Sequence, residues 1–313
     1  MTHEQMKNGM MRAIVCGCAV AIAAPALPGR AQDPVPVFRA GADVVRVEAS
    51  VRRDRRPVIG LKAADFEVLD NGVRQEITEI SYEKLPIDVT VLLDVSASVT
   101  GSALDELRRA LKQLRTDLGA QDRLRLVTFN MRVKRLVDFG DPAPAVDAAL
   151  ASLRGSGSSA IFDSLVVALA SATPPGRRQL VVLFSDGQDS SSITDADVLL
   201  DVARRTTPTV AVVLASPSRQ RPASLVRTSA KTSAATVGDM AEQIASATGG
   251  FVAAINPGEN LTSTFRRVLE QFRTSYVLYF APTGVERRGS HTLDLRVKDA
   301  KVEIRARRGY LWN

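Results

Sequence analysis

An aspartate and two serines alternate directly after a run of β-branched and aliphatic residues. Residues 89–93 read VTVLL, and Asp94, Ser96 and Ser98 follow. One carboxylate and two hydroxyls at this spacing form a cluster of hard oxygen ligands, which suits Mg²⁺, Mn²⁺ or Ca²⁺. The same residues are also compatible with a polar turn after a buried strand, in which Ser98 caps the next helix. The D-x-S-x-S pattern alone does not decide between these two interpretations.

Two other segments carry oxygen ligands that could lie beside this cluster. The run at 89–93 predicts a strand buried on both faces of a parallel sheet, and α/β sheets bind ligands at the carboxyl ends of their strands. A second such run, at 180–184, leads directly into Ser185 and Asp186. The loop at 155–160, GSGSSA, supplies serines just before a predicted helix. We therefore expect three polar segments to meet at one edge of the sheet.

A glycine-rich loop before a helix can instead hold phosphate through its backbone amides. The loop at 155–160, however, lacks the lysine of a P-loop and follows a predicted helix instead of a strand. Phosphate binding is therefore the weaker interpretation of this loop.

From residue 86 the sequence alternates between apolar strands and amphipathic helices, which is typical of a doubly wound sheet. Six strands are predicted, at residues 89–93, 124–129, 133–137, 180–184, 210–214 and 251–254. The third follows the second too closely for a parallel crossover, so these two must form a hairpin. The sequence therefore predicts an α/β fold with a six-stranded, mostly parallel, Rossmann-like sheet and one antiparallel edge.

Both flanks of this region alternate between apolar and polar residues, as half-buried antiparallel strands do. Strands are predicted at residues 45–51, 66–69, 73–80, 276–280, 293–297 and 302–306. An Asn-Gly pair at 71–72 predicts a tight hairpin between the second and third of them. Neither flank has enough strands to be stable alone. We therefore expect both chain ends to pair into one antiparallel β module beside the α/β domain.

The first 31 residues have the pattern of a secretory signal peptide, with basic residues ahead of a short apolar stretch and small residues at its end. An uncleaved N-terminal anchor is the alternative, and Cys18 distantly resembles a lipid-modification site. No later apolar run reaches the length of about 20 residues that a membrane helix needs. We therefore expect an exported protein, periplasmic or extracellular, without a membrane-spanning segment after cleavage.

The expected domain organisation follows from these patterns. It comprises a signal peptide at 1–31, the two parts of the β module at 32–85 and 274–313, and the α/β domain at 86–273. A stretch rich in Ser, Thr and Arg predicts a mobile insertion at 215–237.

Composition excludes several classes of function. The net charge of +7 could suggest nucleic-acid binding, but aromatic residues, on which bases stack, make up only 5% of the chain. The composition therefore does not indicate a nucleic-acid-binding protein. Both cysteines, Cys16 and Cys18, lie in the predicted signal peptide, which leaves no disulfide or thiolate site. His3 lies there as well, so a Ser/His/Asp triad would depend on His291, in a segment that reads as a surface strand.

The three polar segments together resemble the von Willebrand factor type A domain over residues 86–273. The metal-ion-dependent adhesion site of that family combines a D-x-S-x-S motif, a threonine from a later loop and an aspartate at a further strand end. Asp94, Ser96 and Ser98 match the first motif, and Asp186 in FSDGQD matches the last.

The middle loop of the family commonly reads G-G-T-A-[LI]-[YF]-D, and this chain reads GSSAIFD at 157–163. Ser159 therefore replaces the threonine, which keeps the hydroxyl and loses a methyl group that stiffens the rotamer. The flanking segments, VIGLKAADFEVLDNG and RTSYVLYF with RRGY at the end, resemble a bacterial family of exported proteins related to this domain.

The resemblance implies a divalent cation, Mg²⁺ or alternatively Mn²⁺ or Ca²⁺, and a role in protein binding instead of catalysis. The implied ligands are two carboxylates and three hydroxyls, from Asp94, Ser96, Ser98, Ser159 and Asp186. Five ligands leave one position of an octahedron open. A partner protein would fill it with an Asp or Glu carboxylate, as in an adhesion or scaffold module.

Two other functions compete with this one. The chain could be a structural protein of the cell envelope in which the metal site is vestigial and the β module binds the partner. A phosphatase of the haloacid dehalogenase type also uses Mg²⁺ and an aspartate after its first strand, but its second aspartate would stand where this chain has Ser96. The sequence does not indicate an oligomeric state.

Overall fold

A computed structural model describes residues 44–312, apart from residues 83–84, 98, 172–175, 216–236 and 256–258. The predicted signal peptide at 1–31 lies outside the described residues, and so does the predicted insertion at 215–237 except for its two ends. The strands of the α/β domain and of both flanks fall within the described residues.

The strands within the described residues are numbered in chain order. They are β1 (Val45–Arg53), β2 (Arg56–Pro57), β3 (Phe66–Asp70), β4 (Val73–Gln75), β5 (Ile77–Tyr82), β6 (Ile87–Asp94), β7 (Arg123–Phe129), β8 (Val133–Val137), β9 (Arg178–Ser185), β10 (Thr209–Leu214), β11 (Phe251–Ala254), β12 (Tyr276–Phe280), β13 (Gly289–Val297), β14 (Glu303–Ala306) and β15 (Gly309–Trp312).

The central sheet has the order β11-β10-β9-β6-β7-β8. Every neighbouring pair is parallel except β7 and β8, which form a hairpin. All eight residues of β6 are buried, as expected for a strand covered on both faces. The predicted six-stranded, mostly parallel sheet with an antiparallel edge is therefore confirmed.

Helices cover both faces of this sheet. They are α1 (Gly101–Asp117), α2 (Ala143–Ser152), α3 (Ile161–Ala170), α4 (Ala196–Arg205), α5 (Val237–Thr248) and α6 (Leu261–Arg273). One buried side chain from each shows the division, with Leu107, Leu150 and Phe265 on one face and Leu165, Leu199 and Ile244 on the other. No helix among the described residues is both long and apolar enough to cross a membrane.

Two antiparallel sheets flank the central one. The first has the order β14-β1-β12-β5, with β2 paired to β1, and the second has the order β15-β13-β3-β4. Their buried side chains form one apolar core, which includes Val47, Phe66, Leu278 and Leu295. Each sheet combines strands from before the central sheet with strands from after it. The predicted β module built from both chain ends is therefore confirmed.

The prediction of one continuous strand at 73–80 is wrong, because this segment forms two strands that belong to different flanking sheets. Strand β4 pairs with β3, whereas β5 pairs with β12. The division lies at Gln75, which is buried and holds the backbone of Thr283 through bonds of 3.0 and 2.8 Å. A buried amide thus anchors the chain where it leaves one sheet for the other, and the alternation of apolar residues does not reveal this.

One buried ion pair joins the central sheet to the β module. Arg178 of β9 is 1% exposed, and its Nη2 lies 3.2 Å from the Glu48 carboxylate of β1. The same guanidinium donates to the backbone carbonyls of Phe272 and Arg273, at 2.6 and 3.1 Å, at the end of α6. These bonds offset a charge that would be costly to bury alone, although Nε of Arg178 has no hydrogen-bond partner among the described residues.

His291 is buried, so its prediction on a surface strand is wrong. Its side chain points into the β module, where Nδ1 lies 2.7 Å from Asp70 Oδ1. The hydroxyl of Tyr310 donates to the other oxygen of Asp70 at 2.7 Å. Burial, together with this bond to Asp70, raises the pKa of Tyr310, so the hydroxyl keeps its proton. The cluster lies in the core of the β module, not at the carboxyl end of the central sheet.

Replacing Tyr310 with phenylalanine is expected to lower the free energy of unfolding by about 1–3 kcal/mol, because Asp70 then loses one of its donors in a buried site. Urea denaturation of the full chain measures this difference. A change of less than about 0.5 kcal/mol, as at an ordinary surface position, would mean that His291 alone satisfies the carboxylate.

Candidate metal site

The register of the central sheet brings two predicted site residues to the same edge. Leu93 of β6 lies opposite Phe184 of β9. Asp94, the last residue of β6, therefore lies beside Ser185, the last residue of β9, and Asp186 follows one position further. Both aspartates thus stand where the strands end and the polar loops begin.

Asp94 is fully buried and is the acceptor at the centre of this edge. Its Oδ1 accepts from the backbone N–H of Ser96 at 2.9 Å. The Ser159 hydroxyl lies 3.0 Å from both carboxylate oxygens, and the Ser185 hydroxyl donates to Oδ2 at 2.7 Å. Within the described residues no Lys, Arg or His forms an ion pair with this carboxylate. Its donors are therefore neutral.

Backbone hydrogen bonds hold the first two loops together. The N–H of Ala97 donates to the carbonyl of Gly157 at 3.0 Å, and the N–H of Ser156 donates to the carbonyl of Val95 at 2.8 Å. These two bonds fix the position of Ser159 relative to the D-x-S-x-S motif.

Gly155 allows the same two loops to approach each other closely. A Cβ atom at this position would lie 2.2 Å from the carbonyl oxygen of Val99 and 2.9 Å from that of Ser96. Both neighbours are backbone atoms, which cannot turn aside as the end of a side chain can. The glycine is therefore required by the packing of the site.

The third loop, which follows β9, is attached to the second loop by hydrogen bonds. The N–H groups of Ser190 and Ser191 donate to the carbonyl of Ser159 at 2.9 and 3.1 Å. Asp189 also accepts from the N–H of Phe162 at 3.1 Å, at the start of α3. The backbone around Ser159 is thus held by the first loop and by the third loop.

Asp163 of α3 holds the far end of the third loop. Its carboxylate accepts from the N–H groups of Ile193 and Thr194, at 3.0 and 2.8 Å. Burial favours the neutral acid, but the bonds from the Thr194 side chain and from these two N–H groups outweigh it and lower the pKa of Asp163. Asp163 therefore stabilises the fold in its ionised form.

This lowered pKa predicts a pH dependence of stability. The contribution of Asp163 is fully present above its ordinary pKa of about 3.9 and is lost as the pH falls through the lower folded value. Asp163→Asn is therefore expected to be less stable than the wild type by about 1 kcal/mol at pH 7, with a smaller difference at pH 3. Urea denaturation at the two pH values measures it. Asp197→Asn, an exposed position on α4, is the control. A difference that does not shrink in acid would contradict the prediction.

The structure brings together Asp94, Ser96 and Ser159 and places Asp186 at the same edge. Asp186 is half-buried, and its Oδ1 accepts from the N–H of Gln188 at 3.1 Å, within its own loop. Ser98 lies outside the described residues. The assignment of these five residues as metal ligands stays a prediction.

Two functional contacts of this edge were missed in the sequence. Ser185 was noted only as the neighbour of Asp186, although its hydroxyl donates to Asp94. A hydroxyl on the last residue of a buried strand was the available signal. Asp189 had no such signal, because its role depends on how the third loop folds back to α3.

The donor set fits a hard divalent cation. Within the described residues no group of three or more His, Cys, Asp or Glu side chains is arranged to hold a metal. The atoms at this edge are instead carboxylate and hydroxyl oxygens, which Mg²⁺, Mn²⁺ and Ca²⁺ prefer. A fully buried carboxylate with neutral donors also lacks a compensating positive charge. A cation beside Asp94 would provide it.

The von Willebrand factor type A domain family matches residues 88–252. The match covers more than half of the chain and contains all of β7, β8, β9 and β10, most of β6 and the first half of β11. The chain therefore belongs to this family.

The chain is also similar to several individual proteins. It is 27% identical over 146 residues to the E3 ubiquitin-protein ligase WAV3 of Arabidopsis thaliana, covering 44% of this chain and 20% of that protein. The chain thus spans only a part of that relative's length.

Two of the solved structures to which the chain is similar come from bacteria. A von Willebrand factor type A protein from Catenulispora acidiphila is 12% identical, with a TM-score of 0.48 over 88% of this chain and 76% of that one. An aerotolerance-related membrane protein from Bacteroides fragilis is 17% identical, with a TM-score of 0.45 over 59% of this chain and 98% of that one.

Proposed function

We propose that the chain is a protein-binding module whose affinity depends on a divalent cation. The proposed ligands are the two carboxylates and three hydroxyls predicted from the sequence, namely Asp94, Ser96, Ser98, Ser159 and Asp186. Residues 86–273 would form the binding domain, and the segments at 32–85 and 274–313 would form the module that carries it.

The observation that supports this proposal most strongly is the environment of Asp94. The carboxylate is buried, and two hydroxyls from different loops, Ser159 and Ser185, converge on it. A buried negative charge of this kind favours a positive ion beside it. The side-chain atoms of the proposed ligands are all oxygens, which favours a hard ion over Zn²⁺ with its usual nitrogen and sulfur ligands.

The proposed partner is a protein that offers an Asp or Glu side chain. A bound cation would supply an electrophilic position that accepts one carboxylate oxygen. The five proposed ligands of this chain leave such a position open, because six is the smallest coordination number typical of these ions. Asp94 and Asp186 would matter most, since they supply the negative charge that balances the ion.

We infer a binding role and not a catalytic one. A phosphatase of the type considered above needs a general acid two positions after its nucleophile. That position is Ser96, and a serine hydroxyl is too weak an acid to serve as one. We also infer export to the periplasm or the cell exterior, from the predicted signal peptide at 1–31. Adhesion or scaffolding at the cell surface agrees with both inferences.

A cation-dependent capture experiment tests the proposed function. The full chain is immobilised and exposed to a native envelope extract in the presence of Mg²⁺ or of a chelator, and the captured protein is identified by mass spectrometry. We expect one partner to be retained with Mg²⁺, released by chelator and lost with Asp186→Asn. Replacing one acidic residue of that partner should abolish capture.

The matched control is Asp294→Asn, an acidic residue of similar charge on β13 of the β module, which should leave capture unchanged. A partner that binds equally with chelator, or equally to Asp186→Asn, would contradict the proposed mechanism. It would favour binding through the β module with a vestigial metal site.

A further inference from the structure

Five arginines line a cavity that contains none of the residues of the candidate metal site. The cavity measures about 670 Å³ and lies between the β1–β2 hairpin, β14, the edge strand β11 and α6. We name it the arginine cleft after the side chains that define it, Arg52, Arg55, Arg56, Arg267 and Arg305. A volume of this size is in the range of about 300–1,000 Å³ that small ligands occupy.

The charge of the arginine cleft is strongly positive. Glu270 and Glu303 are the acidic side chains of its described lining, against five guanidinium groups. Glu303 is paired with Arg305 at 2.6 Å, and Glu259 pairs with Arg267 at 3.1 Å from outside the lining. Five arginines therefore face three carboxylates even when Glu259 is included, so positive charge remains in excess. The excess favours an anionic ligand.

Two guanidinium groups of the cleft, those of Arg55 and Arg56, have accessible hydrogen-bonding capacity to spare. Within the described residues, Arg55 and Arg56 form no ion pair, and both are exposed. The Nε atoms of Arg52 and Arg267 also lack a hydrogen-bond partner among those residues, but they are buried and a ligand in the cleft would not reach them. Burial, and then the nearby charge of Arg305, lower the pKa of Arg52, which reflects how closely these positive groups are held.

The turn that carries Arg55 has an unfavourable backbone conformation. Arg53 pairs with Arg56 across the hairpin, so Asp54 and Arg55 form its two-residue turn. Both have positive φ, 49° and 66°, in a turn whose second position favours glycine. Arg52 Nη1 donates to the carbonyl of Arg55 at 2.9 Å and stabilises the turn. Strained backbone that is held in place by its surroundings is typical of functional sites.

We propose that the arginine cleft binds a multiply charged oxyanion of the phosphate type. Guanidinium groups match the geometry of such oxyanions, because each can donate two parallel hydrogen bonds to two oxygens. A carboxylate carries one charge and two oxygens, so it would satisfy fewer of the free donors. The phosphate belongs either to a soluble molecule or to a lipid headgroup. Binding in the cleft does not depend on the cation proposed at Asp94, because the two sites share no residue.

Calorimetric titration with inorganic pyrophosphate, in metal-free buffer of low ionic strength, tests this proposal. We expect one site on the wild-type chain and an affinity at least about tenfold weaker in the double variant Arg55→Gln/Arg56→Gln, which loses two charged donors. Both residues are exposed, so the variant should fold. Arg287→Gln/Arg288→Gln removes the same charge from an exposed loop of the β module and should bind as the wild type does.

Two results would overturn the proposal, namely the absence of pyrophosphate binding to the wild type and an equal loss in the two double variants. Equal loss would mean that the anion responds only to net charge. Asp94→Asn should bind pyrophosphate normally, so failure of the metal site and failure of the cleft are distinguishable.

Co-sedimentation with vesicles that contain phosphatidic acid distinguishes the two sources of phosphate. Binding that is weakened in Arg55→Gln/Arg56→Gln but not in the control variant supports a lipid headgroup as the ligand. Pyrophosphate binding without vesicle binding supports a soluble phosphorylated ligand.

Discussion

The substitution Asp94→Asn is expected to weaken the binding of Mg²⁺ and Mn²⁺ by about 100-fold or more, which calorimetric titration would measure. The charge of this carboxylate is the largest contribution that a single residue can make to such a site, and even changes outside the ligand shell cost 10–100-fold. The asparagine keeps the size of the side chain and one oxygen acceptor for Ser159 and Ser185. The amide nitrogen replaces the other acceptor oxygen, and the two serine hydroxyls can turn to accept from it. The loss should therefore come mainly from charge.

Thermal unfolding provides a second measure of the same effect. A cation that binds only the folded chain stabilises it by about 2.7 kcal/mol when its concentration is 100 times the dissociation constant. The wild type should gain this stability on addition of Mg²⁺ and lose it with chelator, whereas Asp94→Asn should not respond to either. Asp294→Asn is again the control. A wild-type chain that shows neither heat of binding nor stabilisation would contradict the metal site itself.

The substitution Gly155→Ala should disturb the site without changing any proposed ligand. The added Cβ would meet the carbonyl oxygens of Val99 and Ser96 at 2.2 and 2.9 Å, so one of the first two loops must move. Overpacking of this kind costs about 1–3 kcal/mol. The displacement would also separate Ser159 from Asp94, and we expect cation affinity to fall about tenfold or more, as when a supporting group is lost.

Gly119→Ala is the matched control for this substitution, because the nearest atom to its added Cβ is a side-chain oxygen of Asp122 at 3.2 Å. Urea denaturation and calorimetric titration of both variants separate a general loss of stability from a loss at the site. Normal cation affinity in Gly155→Ala would mean that the loops tolerate displacement and that their close contact does not determine the site.

The central sheet was predictable because each strand is a short, continuous apolar run between polar loops. The hairpin of β7 and β8 followed from the length of the connection alone. The end of β6 was also predictable, since Asp94 interrupts an apolar run at the edge where ligands of such sheets bind. The register of β6 and β9 places Asp94 and Ser185 together. That register could not be predicted from the sequence.

The remaining details depend on contacts between residues that are distant in the sequence. His291 reads as an exposed polar residue until Asp70 and Tyr310, from two other strands, satisfy its Nδ1 and cover it. Gln75 reads as one more polar position in a strand until its amide is seen to hold Thr283. Buried polar groups of this kind are recognisable only when their partners are known.

The pairing of the two chain ends also determines the order in which the molecule can fold. Strand β1 is made before the central sheet, but its neighbours β12 and β14 are made only after the whole of that sheet. Contacts between such distant segments form slowly, and an unpaired strand edge with an apolar face is prone to aggregate. Val47, Ala49 and Val51 would therefore remain uncovered until β12 and β14 have been made. A nascent chain of this protein thus needs protection at β1 until β12 and β14 are available to pair with it.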